Sequence, residues 1–191
     1  DDDDRIVLVG DESVIREHLP DDGSWKERID IRHTDQVIGM DESPVEALRA
    51  KPRSSVGLLA ELHREGEVGA GISAGNTGAA VAAAQMRLRR LRGVHRPGIA
   101  IVAPTFEGPV AVADVGANVN CRPQHLHQYG VMTSLYMNAV CGVEGPRVAL
   151  LSIGEEDAKG NPLVKTAHQM MRDDPNINFV GNYEGRHLFA G

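Results

Sequence analysis

Residues 147–181 read "RVALLSIGEEDAKGNPLVKTAHQMMRDDPNINFVG", and this stretch decides the fold. Its two ends, residues 147–153 and 177–181, are short aliphatic runs that are typical of strands covered on both faces. Between them, Asn161 followed by Pro162 signals a helix start, because a capping side chain and a proline at the first position both suit a helix N-terminus. A strand, a helix and a second strand in this order predict two parallel strands joined by a crossover helix.

The same alternation extends through the rest of the chain. Further helix starts are signalled by Ser43, Pro44 and Glu46, which resemble a capping box, and by the Arg122-Pro123 pair. Additional strand-like runs occupy residues 5–9, 68–73, 98–103 and 110–115. The pattern predicts an α/β fold with a mostly parallel sheet that is covered by helices on both faces.

Composition narrows the class of protein. Hydrophobic residues make up 41% of the 191 residues and aromatic residues only 4%, so the core is expected to consist of Val, Ile, Leu and Ala. A net charge of -7 argues against nucleic-acid binding, which needs a basic face. No apolar run approaches the roughly 18 residues that span a bilayer. Cys121 and Cys141 form no CxxC pair and no signal peptide is evident, which favours a reducing cytoplasm.

Ligands of parallel α/β sheets collect at the carboxyl ends of the strands, and the loops there are polar and rich in glycine. The stretch "ISAGNTGAAVAAA" at residues 72–84 places a turn of small residues before an alanine-rich helix. Backbone amides in such a turn can approach an anion closely, and the helix N-terminus adds partial positive charge. The candidate anion ligands are Ser73, Gly75, Asn76, Thr77 and Gly78. The alternative is that Asn76 or Thr77 only caps the helix.

The loop "GEEDAKGN" at residues 154–161 sets carboxylates beside a lysine at the same end of the sheet. Lys159 could hold phosphate or stabilise a developing oxyanion or thiolate, while Glu155 or Glu156 orients it or transfers protons. The alternative is an exposed loop with a surface ion pair of little consequence. Polar residues also follow two other predicted strands, at 116–118 and 182–186. This recurrence favours a functional role for the loops at this edge of the sheet.

Two further clusters have competing interpretations. Cys121, His125 and His127 could suggest a metal site, but the spacing places His127 off the shared helix face, so structural packing is the preferred interpretation. The segment "RLRRLRG" at residues 87–93 concentrates positive charge in an acidic protein. It is interpreted either as a solvated helix end or as a docking surface for an acidic partner. The run "DDDD" at residues 1–4 is interpreted as a solvated charge run.

Several of these motifs match one family in order and spacing. They are "VIGMDESPVEALRAKPRSS", "GISAGNTGA", "RPGIAIVAPT" with "GPVAVADVGANVN", "LLSIGEEDAKGN" and "NFVGNYEGR". Together they resemble the PlsX family of phosphate acyltransferases over nearly all of residues 37–187. Asn120 and His187 depart from the family pattern, where aspartates are expected.

The resemblance implies a three-layer αβα sandwich similar to isocitrate and isopropylmalate dehydrogenases. It also implies acyl transfer from acyl carrier protein to inorganic phosphate, without a metal or organic cofactor, by a homodimer in peripheral contact with the membrane. The site residues carried over are Ser73, Gly75, Asn76, Thr77, Asp114, Asn118, Glu155, Glu156, Lys159, Asn161, Asn182, Glu184 and Arg186. Docking of the acidic carrier protein is assigned to Arg87, Arg89 and Arg90.

The family pattern usually begins with a strand and a "DAMGGD"-like loop and continues beyond the last motif seen here. Residues 1–191 are therefore expected to form a single, incomplete phosphate acyltransferase domain. Two other functions are kept as alternatives. One is a dehydrogenase on the same kind of sandwich, although no dinucleotide fingerprint is present. The other is a fragment that binds phosphate or an acyl carrier without turnover.

Overall fold

The computed structural model describes residues 4–154 and 160–188. The chain divides into two compact units, Asp1–Arg90 and Leu91–Gly191. Each unit contains strands and helices, so the architecture is mixed α/β. The prediction of one domain over residues 1–191 stays a prediction.

The first unit begins with two parallel strands. Strand β1 (Ile6–Gly10) pairs with β2 (Ile29–His33), with Ile6 opposite Ile29 and Gly10 opposite His33. Helix α1 (Glu12–Glu17) and a 3₁₀ turn (Ser24–Glu27) connect them. Strand β1 confirms the strand predicted at residues 5–9. Strand β2 has no predicted counterpart, because Asp30 and Arg32 interrupt its apolar residues and hide it from a search for continuous aliphatic runs.

Three helices complete the first unit: α2 (Pro44–Ala50), α3 (Ser55–Glu65) and α4 (Thr77–Arg87). Small residues let these helices pack closely, as the burial of Ala79 and Ala83 in α4 shows. The buried cluster consists of Ile38, Ala47, Leu48, Ala60, Ala79, Ala82 and Ala83. Helices α2 and α4 were predicted, but the Ser43 side chain makes no capping hydrogen bond, so that part of the expected capping box is wrong.

The second unit contains a hairpin followed by a parallel strand pair. Strands β3 (Ala100–Thr105) and β4 (Gly108–Ala113) are antiparallel, with Ala100 opposite Ala113. Helix α5 (Pro123–Ala139) begins at the proline that predicted it. Strand β5 (Arg147–Ser152), helix α6 (Pro162–Arg172) and strand β6 (Asn178–Glu184) follow, and β5 and β6 are parallel. The strand–helix–strand prediction for residues 147–181 is therefore confirmed.

The core of the second unit lies where α5 and α6 cover the β5–β6 pair. Its buried residues are Leu150, Ala167, Met171 and Ile177, and Leu126, Val131, Val148 and Phe179 pack against them. The aliphatic composition predicted for the core is seen in both units. None of the helices in the described part of the chain is long and apolar enough to cross a membrane.

One prediction about strands is wrong. Residues 68–73 are not a strand, since Gly69 and Gly71 weaken β structure there and no described strand pairs with this segment. Strands β3 and β4 are the antiparallel pair among the described strands, because the two-residue turn at Phe106-Glu107 folds them into a hairpin. Gly108 follows that turn with φ of 116°, a conformation that favours glycine.

Candidate functional site

The turn of residues 73–78 lies in the first unit, directly before α4. Asn76 caps this helix, because its Oδ1 accepts a hydrogen bond from the Ala79 amide at 3.0 Å. Thr77 and Gly78 form the first turn, where an α-helix offers its amides no backbone acceptor. Every residue of the turn is exposed except Asn76, which is half-buried. This arrangement is suited to an anion, which the helix N-terminus attracts.

The other end of the Asn76 side chain is also occupied. Its Nδ2 donates to the Gly39 carbonyl at 3.0 Å and lies 3.4 Å from the carbonyls of Met40 and Glu42. The interpretation of Asn76 as a helix cap is therefore confirmed, and its amide also joins the turn to the preceding loop. Contact with an anion then depends on the backbone amides and on the hydroxyl groups of Ser73 and Thr77.

The two glycines of this turn serve different purposes. A Cβ at Gly78 would lie 2.8 Å from Pro44 Cγ, so this glycine permits the close packing of α4 against the start of α2. A Cβ at Gly75 would meet only Ser73 Oγ, at 3.8 Å. Packing among the described residues therefore does not require a glycine at position 75.

In the second unit, Asp114 organises the loop that follows β4. Its Oδ1 accepts hydrogen bonds from the amides of Ile99 at 2.8 Å and Ala117 at 3.2 Å. Its Oδ2 accepts from the amide and the side-chain nitrogen of Asn118, at 2.8 and 2.9 Å. Burial alone would raise the pKa of Asp114, but these hydrogen bonds outweigh it and hold the pKa below its usual value.

Tyr129 contacts the same loop through the Asn118 side chain. Asn118 Nδ2 lies 3.0 Å from the Tyr129 hydroxyl and 2.8 Å from the Pro97 carbonyl. Tyr129 is 2% exposed, and burial is the main reason that its pKa is raised to about 12. A Cβ at Gly98 would lie 2.9 Å from Tyr129 Cε1, so a glycine is required there. Asp114 and Asn118 are among the site residues that the resemblance implies, and their contacts show that they stabilise the conformation of the loop.

The carboxyl ends of β5 and β6 lie side by side, with Ser152 opposite Glu184. Asn161 caps α6 at this edge, since its Oδ1 accepts from the Val164 amide at 3.0 Å. Arg186 Nε lies 2.9 Å from Glu184 Oε2. The structure therefore brings together Asn161, Glu184 and Arg186 near one sheet end, as the parallel prediction requires. The catalytic candidates Glu155, Glu156 and Lys159 lie outside the described residues.

Asn182, another site residue that the resemblance implies, is buried, with an exposure of 5%. Its Oδ1 lies 3.0 Å from Nδ1 of His168, which is 4% exposed. The Nε2 of His168 contacts the Arg172 guanidinium, and Phe179 meets the His168 ring edge-on. Both ring nitrogens of His168 therefore have polar partners inside the protein. Sequence reasoning missed His168 because a single histidine in a helix carries no functional signal.

The cysteine and histidine residues near the start of α5 have structural partners. The Arg122 amide donates to His125 Nδ1 at 3.2 Å, and burial, followed by nearby positive charges, lowers the pKa of His125. His127 Nε2 lies 2.7 Å from Asp174 Oδ2. The preferred interpretation of this cluster as packing is supported. In residues 4–154 and 160–188, no three His, Cys, Asp or Glu side chains are grouped to hold a metal ion.

The three arginines proposed for docking differ in their surroundings. Arg87 donates a hydrogen bond to the Pro52 carbonyl at 3.1 Å, which fixes its side chain against the segment between α2 and α3. Arg89 and Arg90 are exposed. Arg89 has φ of 67°, in the left-handed region that is unfavourable for residues other than glycine, asparagine and aspartate. This position follows the end of α4, where helices often place a glycine.

These features define an α/β protein with polar strand-end loops and a capped helix N-terminus suited to an anion. The chain belongs to the family described as "Fatty acid synthesis protein", whose family model matches residues 1–191. The family assignment agrees with the resemblance carried by the five sequence motifs.

Curated relatives support the same assignment. The chain is 44% identical over 190 residues to the phosphate acyltransferase of Nitratidesulfovibrio vulgaris (strain Hildenborough), which covers 98% of this chain and 54% of the relative. It is 46% identical to the phosphate acyltransferase of Trichormus variabilis, covering 98% of this chain and 55% of the relative. It is 47% identical to the phosphate acyltransferase of Bacillus cereus (strain G9842), and the match covers 98% of this chain and 56% of the relative. The chain thus spans about half the length of these relatives.

Proposed function

We propose that this chain carries part of the catalytic site of a phosphate acyltransferase, which moves a fatty acyl group from acyl carrier protein to inorganic phosphate. The product is an acyl phosphate for glycerophospholipid synthesis. The observation that carries the proposal is 44–47% identity to phosphate acyltransferases over 98% of the chain. For the whole protein we propose an αβα sandwich like that of isocitrate and isopropylmalate dehydrogenases, and a cytoplasmic homodimer in peripheral contact with the membrane.

The reaction requires a phosphate oxygen to attack the thioester carbonyl. A carbon–oxygen bond forms, the carbon–sulfur bond breaks, and the carrier leaves as a thiolate that takes up a proton. Phosphate is already an anionic nucleophile and a thiolate is a good leaving group. The protein therefore has to position the two substrates and stabilise developing negative charge, with no covalent intermediate.

We assign phosphate binding to the turn of residues 73–78. The exposed amides at the start of α4 are the donors, and Asn76 holds them in place through its cap and its contact with the Gly39 carbonyl. Lys159 neutralises the oxyanion or thiolate, and Glu155 and Glu156 orient it. We propose that Asn182 and Arg186 frame the edge of the pocket; Arg186 lies 2.9 Å from Glu184 near the carboxyl end of β6.

The function is tested by phosphate-dependent release of free thiol from an acyl thioester of the carrier protein. The assay uses this chain and a chain extended to the length of its relatives. Release by both supports the proposal for residues 1–191, whereas release by the extended chain alone supports the alternative of a binding fragment. No release by either, with nicotinamide-dependent oxidation of a hydroxy acid, would favour the dehydrogenase alternative.

The two glycines of the turn give a matched pair of substitutions. Gly75→Ala is expected to leave the free energy of unfolding nearly unchanged, because its Cβ meets only Ser73 Oγ at 3.8 Å. It should raise the KM for phosphate about tenfold, the equivalent of one lost hydrogen bond. Gly78→Ala should destabilise the protein by about 1–3 kcal/mol, because of the contact with Pro44. An unchanged KM in Gly75→Ala would show that phosphate binds elsewhere.

We assign docking of the acidic carrier protein to Arg87, Arg89 and Arg90, and the test uses Arg89 and Arg90, which are exposed. Arg89→Gly is expected to raise the free energy of unfolding by about 1 kcal/mol, because glycine relieves the left-handed backbone. With Arg90→Ala added, the KM for the carrier protein should rise several-fold at low salt and less at high salt, owing to screening. Stabilisation without any change in KM at low salt would assign docking to another surface. Arg64→Ala, on the exposed face of α3, is the control.

A further inference from the structure

The loop of residues 37–42 contains a clamp that the sequence motifs did not reveal. The Glu42 carboxylate accepts the Gly39 amide through Oε2 at 2.6 Å. Lys51 Nζ contacts both carboxylate oxygens, at 2.8 and 2.7 Å, and also donates to the Val37 carbonyl at 2.9 Å. One carboxylate and one ammonium group therefore hold the backbone of the loop at both of its ends. We call this pair, Glu42 with Lys51, the loop clamp.

Asn76 connects the loop clamp to the start of α4. Its Nδ2 donates to the carbonyl of Gly39, the residue whose amide the Glu42 carboxylate binds. Its Oδ1 accepts the Ala79 amide in the first turn of α4. A chain of hydrogen bonds thus runs from Lys51 through Glu42, Gly39 and Asn76 to the helix N-terminus. A shift of the clamped loop would move the Asn76 side chain and, with it, the turn of residues 73–78.

Packing from another direction limits where that turn can go. Pro44, two residues after Glu42, stands so close to Gly78 that a Cβ there would lie 2.8 Å from Pro44 Cγ. Behind this contact, Ile38, Ala47 and Ala79 belong to one buried cluster. The apolar cluster fixes the helices, while the hydrogen-bond chain fixes the turn at its polar end.

The clamp is too exposed to contribute much to the stability of the fold. The side chains of Lys51 and Glu42 are 36% and 34% exposed, and ion pairs with this exposure contribute little to the free energy of unfolding. Displacement of a ligand-binding group by about 1 Å can nevertheless change a rate by about a hundredfold. A weak ion pair that fixes the position of a ligand-binding turn therefore has a larger effect on binding than on folding.

We infer that Glu42 and Lys51 are positioning residues for the phosphate-binding turn of residues 73–78, acting through Asn76. This inference rests on the proposed function of that turn. A role in stability alone would lower the melting temperature without a specific effect on phosphate. A positioning role instead changes phosphate affinity in a protein that remains folded.

The test is a phosphate titration followed by NMR at the amides of Gly75, Thr77 and Gly78, in the protein as it is and in Glu42→Gln. The unsubstituted protein should show saturable shifts at these amides. Glu42→Gln should weaken the phosphate Kd about tenfold, as expected when a turn with several amide donors moves away from its anion. Its melting temperature should stay within about 2 °C of the original. Lys51→Arg, which keeps the charge, should retain most of the affinity.

A matched control exists on α3, where Arg64 and Glu61 form an ion pair with 42% and 32% exposure. Glu61→Gln should leave phosphate affinity unchanged. The inference is overturned if the turn amides do not respond to phosphate, or if Glu42→Gln and Glu61→Gln change the Kd equally. Thiol release tests the proposed function separately: phosphate binding at the turn without thiol release would contradict the function and leave the positioning role in place.

Discussion

Replacing Lys159 with alanine is expected to lower kcat for phosphate-dependent acyl transfer by about 10²- to 10³-fold, the usual loss when one preorganised group is removed from a developing oxyanion. The KM values should change much less, because the charge that Lys159 stabilises develops only in the transition state. Steady-state thiol release on the chain extended to the length of its relatives measures both quantities. Unchanged turnover would contradict the catalytic role.

Lys165 provides the matched control for this substitution. It lies exposed on α6, four residues after the Asn161 cap, and is part of the same strand–helix–strand segment. Lys165→Ala removes the same charge from the same region without altering the loop at residues 154–161. We expect its kcat to stay within about twofold, since surface charges at a distance are screened. An equal loss in both variants would indicate a general effect of charge instead of a specific role for Lys159.

The strand–helix–strand segment could be predicted because each of its signals is local. Asn161 and Pro162 mark the helix start, and the aliphatic runs on either side mark the strands. Strand β2 was missed because it is short and only partly buried, so its residues alternate where a covered strand would be uniformly apolar. Residues 68–73 resemble a strand in composition. A strand forms only when another strand pairs with it, and the sequence of one segment does not show whether a partner strand is available.

The candidate site likewise contains residues that could be predicted from the sequence and residues that could not. Asn76 and Asn161 were recognisable at predicted helix starts, and both are helix caps in the structure. Glu42 and Lys51 were not recognised as a pair, because they are separated by helix α2 and meet only after the chain folds. The contact of His168 in α6 with Asn182 in β6 likewise forms only in the folded chain, so the sequence did not show it. Local chemistry is readable from sequence, whereas partners that tertiary structure brings together are not.

Two loops, one in each unit, share one physical design. In the first unit Asn76, and in the second unit Asp114, binds several backbone groups and leaves the surrounding turn backbone in one conformation. Such buried or half-buried polar side chains stabilise a particular turn more than they stabilise the fold as a whole. A site built on backbone amides needs this support, because an amide has no rotamers of its own with which to reach a ligand.

Asp114→Ala is expected to lower the stability of the second unit by about 2–4 kcal/mol, because charged hydrogen bonds contribute about 1.5–3 kcal/mol each but are not additive. Four donors from Ile99, Ala117 and Asn118 lose their acceptor in this variant. Asp114→Asn should lose less, since one side-chain oxygen remains. Asp173→Ala is the control, because Asp173 is exposed and its carboxylate accepts from the Gln169 side chain, at 2.9 Å to each oxygen. The change in stability of this variant should stay within about 0.5 kcal/mol.

The measurement has to report on the second unit. Trp25 lies in the first, so its fluorescence would follow the wrong part of the chain. Hydrogen exchange at the amides of Ile99, Ala117 and Asn118 reports the local opening free energy directly. Equal protection in Asp114→Ala and the unsubstituted protein would contradict the structural role.

The same bonds predict a pH dependence with a definite sign. Because the pKa of Asp114 is lowered in the folded protein, its carboxylate contributes stability that is fully present above its unfolded pKa of about 3.9. That contribution is lost as the pH falls through the lower folded pKa. The stability difference between the unsubstituted protein and Asp114→Asn should therefore be constant from about pH 7 to pH 5 and shrink below about pH 4. If the stability difference between the two proteins stays constant below pH 4, the neutral and ionised forms of Asp114 stabilise the loop equally. The geometry of the carboxyl group, and not its charge, would then be responsible.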